Sequence, residues 1–213
     1  MFPRVARFAP LTGALFAILT AIAFLAGEET PDANATPAKV VVFFTAHKSN
    51  IETSAVLAAV AFLFAVFWAG AFAGFLRRRG ASGALTGLVI AAVSLMAVGA
   101  ALFAGIEYVL AHDLRYFGPQ TAQTLNVLNN SLFLPLVIGG CVYGVASGLA
   151  ILASKALPAW LAWVALVLGI LSVAGPIGFF ATLLLVLWTL VVSVMVFLRS
   201  GADETAPAPA AAV

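Results

Sequence analysis

Long apolar runs separated by short polar clusters set the pattern of this chain. Phe8 to Gly27 is the first run, about 20 residues, enough to span ~30 Å of hydrocarbon at about 1.5 Å per residue. Five more follow, and each ends at a charge, a proline or a glycine turn. The pattern predicts an all-α polytopic membrane protein with six transmembrane helices in one bundle, spanning about 8–27, 53–76, 83–106, 132–154, 158–174 and 177–198. Together these form a membrane domain over 1–199, followed by a disordered Ala/Pro-rich cytoplasmic tail over 200–213. The first run also fits a signal peptide cleaved near Ala21-Ile-Ala23. Signal h-regions are shorter, ~7–15 residues, which favours a retained span.

Two polar stretches, 28–52 and 107–131, interrupt the pattern and are expected as outer loops. In the first, Glu28, Glu29, Pro31 and Asp32 mark the exit from the apolar run. Thr36-Pro37 reads as an N-cap with proline at the first helical position, so Val40 to Phe44 is expected as a short surface helix. A run this short also fits a strand. Ser49-Asn-Ile-Glu52 has the spacing of a capping box.

The second polar stretch ends in a helix, Pro119 to Ser131. Gln120, Gln123, Thr124, Asn126, Asn130 and Ser131 share a broad face expected to meet water, opposite Ala122, Leu125, Leu128 and Leu132. Asn129 falls on the apolar side. A buried amide needs partners, so it is either an internal anchor or a pocket residue. Pro135 either kinks a continuous helix or sits in the first turns of one starting afresh near Asn130. Gly140, Gly144 and Gly148 form a small-residue seam for close helix packing, within the chain or with a second copy. Gly70 and Gly74 repeat the spacing.

Composition agrees with the pattern. Of 213 residues 64% are hydrophobic and 8% charged, against about 25% charged in soluble domains. The mean hydropathy is +1.15, and a net charge of +2 is too small to suggest nucleic acid. Arg4, Arg7, Arg77, Arg78, Arg79, Lys155 and Arg199 fall on one side of the predicted topology, and Lys39, Lys48 and Arg115 on the other. The positive-inside rule then makes both termini cytoplasmic and turns the long loops outward. The Ala, Val and Leu richness suits a bacterial inner (plasma) membrane. An inverted three-plus-three repeat would pair a long loop with the tiny turn at Lys155, a poor match.

The chemistry is as informative for what it omits. No Asp, Glu, Lys, Arg or His lies in the middle of a span, which argues against proton relays and charged ion pathways. His47 and His112 both fall in loops, and the single Cys141 permits neither an internal disulfide nor a cysteine-rich metal site. HExxH, GxSxG and phosphate-loop motifs are missing. No cofactor or metal is expected. Glu107 shares a face with Phe103, Leu110, Ala111 and Leu114, and should seek a basic partner among His47, Lys48 and Arg115. Tyr143, Ser147, Ser94, Trp68 and Trp188 fall near mid-depth, where polar atoms need hydrogen bonds.

The run Leu157-Pro158-Ala-Trp160-Leu-Ala-Trp163, with the Gly-containing apolar stretch after it, resembles a hairpin in uncharacterised bacterial six-span integral membrane proteins, a domain of unknown function. The resemblance implies the six-span topology and no catalytic residue. The expected function is therefore non-enzymatic: an outward-facing pocket for an apolar or lipid-like ligand or a membrane partner, built from Glu107, Gln123, Asn126, Asn129, Asn130 and Tyr143. The lipid bilayer, a membrane-protein partner and a second copy are the expected macromolecular contacts. A facilitative small-molecule transporter with a path past Ser94, Tyr143 and Ser147 is one alternative. An outer-face enzyme using Glu107 with His47 or His112 is the other.

Overall fold

The structure is a computed structural model describing residues 7–205. Arg4 and the end of the predicted tail, 206–213, lie outside the described residues. All regular structure among the described residues is helical. After a 3-10 turn, Ala9–Leu11, the helices are α1 (Thr12–Ala26), α2 (Pro37–Ala46), α3 (Lys48–Arg78), α4 (Gly83–His112), α5 (Pro119–Ser131), α6 (Leu134–Ser154), α7 (Ala159–Leu171) and α8 (Pro176–Thr205).

Six of these close into a ring. Around it α1 packs on α3, α3 on α4, α4 on α6, α6 on α7, α7 on α8, and α8 back on α1. Five helical segments are long and apolar enough to cross a membrane. The predicted span 158–174 is the one not matched in length: α7 has 13 residues, roughly 20 Å. Large apolar side chains such as Leu63, Phe67, Val98, Leu102, Ile170 and Leu187 point outward around the ring. Water would not tolerate such a girdle.

The centre of the ring is aromatic. Trp68 stacks on Phe72 at 4.8 Å, and Trp188 meets Phe72 and Tyr143 edge-on. The Tyr143 hydroxyl accepts from Trp68 Nε1 at 3.0 Å and lies 2.9 Å from Thr189 Oγ1. Trp188 Nε1 donates to the Leu161 carbonyl at 3.0 Å. The polar atoms of these mid-depth aromatics are thus bonded between helices, as the sequence requires.

Glycine fixes the tightest contact. A Cβ at Gly144 would stand 2.6 Å from the Ala165 carbonyl oxygen and from Gly169 Cα, and one at Gly148 would stand 2.7 Å from the Ala162 carbonyl. The seam is therefore filled within the chain, by α7. Gly140, its third member, is looser, with nothing nearer than 3.6 Å. Gly70 and Gly74 depart from expectation: no neighbouring backbone approaches either.

Pro135 sits in the first turn of α6 after a break at Leu132 and Phe133, so it starts a helix rather than kinking one. Its ring lies against Gly99, where a Cβ would come within 2.7 Å.

Beyond one end of the ring stands a small cap with its own apolar core. Val40 and Phe44 of α2, Ile51 of α3, Leu110 and Ala111 of α4, and Ala122 of α5 pack together there. The predicted loops are thus largely helical. Thr36 caps α2 as expected, accepting from the Lys39 amide. The expected capping box does not form, because α3 begins earlier, at Lys48. Glu52 instead faces Lys48 and His112. At the opposite end, Arg77 Nε donates to Thr86 Oγ1 at 2.6 Å and Arg199 to the Ala156 carbonyl. There α8 continues through Thr205, beyond the expected span end at 198.

Candidate functional site

The cap holds the residues with unspent chemistry. Its first layer is a seam between α5 and the loop before α2. Asn126 Nδ2 donates to the carbonyls of Pro31 at 3.0 Å and Asp32 at 3.4 Å, Gln123 Nε2 to Ala33 at 2.8 Å, and Asn130 Nδ2 to Pro31 at 3.2 Å. Irregular backbone leaves carbonyls that must find donors, and the amide row of α5 supplies them.

This corrects one expectation. The polar face of α5 does not simply meet water: Asn126 is wholly buried, and Gln123 and Asn130 are half-buried. Gln120, Thr124 and Ser131 are exposed as expected. The donors are used, but the acceptors are not. Gln123 Oε1, Asn126 Oδ1 and Asn129 Oδ1 are buried without a partner among the described residues. Each such group costs about 1–3 kcal/mol, so the seam holds the cap by one-sided bonding.

Glu107 stands on α4 beneath α5, with the Asn129 side chain as its hydrogen-bonding neighbour. Among the described residues its expected basic partner is not found. The acidic group among them that gathers basic side chains is Glu52, 3.7 Å from Lys48 Nζ and 2.8 Å from His112 Nδ1. His47 Nδ1 is 3.0 Å from the Phe43 carbonyl. Neither histidine pairs with Glu107, so the acid–base pair required by the enzymatic alternative is not assembled. Among the described residues no three His, Cys, Asp or Glu side chains gather as a metal site. Tyr143, the sixth expected ligand residue, lies in the ring core and shares no surface with the five in the cap.

Beside the seam an open cleft of about 560 Å³ lies between α2, the start of α3 and the end of α4. Val41, Ala111 and Leu114 give it an apolar floor, continuous with the cap core. Lys48, His112 and Arg115 form its rim, with Thr45 beside them. None of the six expected ligand residues lines it. The available signal is the clustering of basic residues in the loops, which the sequence alone pairs with Glu107 instead. Two tyrosines support the rim: Tyr108 stacks on His112 at 5.2 Å, and Arg115 lies 4.8 Å from the Tyr116 ring.

No protein-family model, curated protein or solved structure matches this chain. The functional reading therefore rests on this geometry.

Proposed function

We propose that this is a multi-pass inner-membrane protein that binds an apolar or lipid-like ligand at its outward-facing cap and has no catalysis of its own. In this reading α7 completes a sixth crossing, with the buried turn at Ser172 standing in for the missing length: Ser172 Oγ donates to the Gly169 carbonyl at 2.7 Å and the Val137 carbonyl at 3.3 Å. Backbone that leaves a helix at membrane depth requires such partners. The arginine-rich end, with Arg77, Arg78, Arg79 and Arg199, is cytoplasmic.

The observation that carries the reading is the cleft in the cap, with its apolar floor and polar rim. Ligand sites combine apolar walls with a few placed polar groups. The ring below supplies a scaffold rather than a path. Ser147 is buried, the Tyr143 hydroxyl is held by Trp68 and Thr189, and Ser94 lies on the outside of the ring. A facilitative transporter would need these groups to share a continuous wet route.

Native mass spectrometry of the full chain, extracted gently from its own membrane, tests the proposal. A stoichiometric bound lipid or small amphiphile, lost in Val41→Trp (which crowds the cleft from a partly exposed position), is the expected result. A bare chain in every gentle extraction, or a ligand retained in Val41→Trp, would contradict it.

A further inference from the structure

The cleft differs from a simple apolar pocket in the charge of its rim. Lys48 and Arg115 each carry a positive charge, and Glu52 opposes them with one carboxylate. His112 sits between, its ring held on Glu52 and Tyr108. The Lys48 and His112 side chains are 49% and 45% exposed, whereas that of Glu52 is 26% exposed. The Lys48 amine and the His112 ring therefore reach the opening, while Glu52, behind them and not itself lining the cleft, is more covered. Asp113, next to His112 in the chain, does not line the cleft. The floor beneath is apolar and wide enough for an alkyl chain, since about 560 Å³ holds a ligand of lipid-fragment size.

We infer that the cleft takes the acidic head of an amphiphile, a phosphate or carboxylate bearing an alkyl chain, with Lys48, His112 and Arg115 on the head and Val41, Ala111 and Leu114 along the chain. The inference rests on the proposed binding role and specifies its ligand. Glu52 serves as the internal counter-ion when the cleft is free: it holds Lys48 and His112 in place, and an incoming anion competes with it for the same donors. Arg115, positioned on Tyr116, offers the planar fork that suits carboxylate and phosphate oxygens. A neutral head would leave these cations without an added partner and gain only the floor.

The test uses the full chain in nanodiscs of zwitterionic lipid, with native mass spectrometry counting bound probe. Three probes are titrated: dodecyl phosphate, dodecyl maltoside and inorganic phosphate. The expected result is one dodecyl phosphate per chain, bound about tenfold tighter than dodecyl maltoside. The double variant K48Q/R115Q should remove that preference, and E52Q should tighten dodecyl phosphate binding several-fold. A merely structural role for Glu52 would weaken binding instead. Equal binding of dodecyl phosphate and dodecyl maltoside overturns the acidic-head inference and leaves the binding role standing. Inorganic phosphate binding as tightly as dodecyl phosphate overturns the amphiphile, because the chain then contributes nothing. Binding of none of the three overturns the inference, while a native ligand carried through extraction would still report on the binding role separately.

Discussion

The ring and the cap are both small helical assemblies, but they are held together by different means. In the ring, glycine lets α6 and α7 meet backbone to backbone, and Trp68, Tyr143 and Thr189 bond one another across three helices. In the cap, α5 is fastened to an irregular loop by side-chain amides that donate and receive nothing in return. The ring is not perfectly satisfied, since Thr20 and Ser147 keep buried hydroxyls without partners among the described residues. Even so, its contacts leave little room to move. The cap combines orphaned acceptors with an open cleft and exposed cations. Low-stability elements are where ligand-linked motion belongs, so the contrast supports a rigid ring beneath the proposed binding cap.

The sharpest way to break this contrast is at the ring's glycine seam. Gly144→Val should cost about 3 kcal/mol, the upper end for overpacking, because the obstacle is backbone that no rotamer change relieves. Thermal unfolding in micelles measures it, with Gly140→Ala as the control expected to unfold near the wild type. Unchanged unfolding of Gly144→Val would contradict the α6–α7 contact. Tyr143→Phe comes next. It leaves the buried Trp68 Nε1 without its acceptor and should cost about 1–3 kcal/mol, read from the same transition and from tryptophan fluorescence.

In the cap, Asn126→Ala should cost about 1–2 kcal/mol, felt locally. Residues 28–36 should become more sensitive to protease while the ring's transition stays put. A shift of the whole transition would mean that ring and cap unfold as one unit. The smallest effect is expected at Gly70→Ala. No neighbouring helix or side chain comes within 4 Å of the added methyl, so stability should hold or rise by up to about 1 kcal/mol from helix propensity alone. A loss, accompanied by a change in oligomeric state, would reveal a second copy packed on α3.

These regions also differed in how well they could be read from sequence. The ring was legible because apolar run length and glycine spacing are properties of one helix at a time. Even there only half of each contact showed. Gly144 declared the seam, but its partner Gly169 lies on α7 without a repeat to flag it, and Gly99, against Pro135, is equally isolated. In the cap, Thr36-Pro37 announced α2 because capping is local. The burial of Asn126 is not legible, because a helical wheel knows nothing of a loop 94 residues away whose carbonyls need donors. Glu52 was read as a local capping residue, yet its hydrogen bond runs to His112, 60 residues along the chain. Where structure came from periodicity the sequence sufficed; where it came from unpaired groups meeting across distance it did not.

The central claim is that ligand is read at the cap while the ring stays sealed. Hydrogen exchange of the full chain in nanodiscs, with and without saturating dodecyl phosphate, tests it most directly. The account predicts slow exchange around Trp68, Tyr143 and Thr189 in both states, with new protection confined to 28–52 and 107–131. Protection centred on the α3, α6 and α8 core, with the cap unchanged, would contradict it.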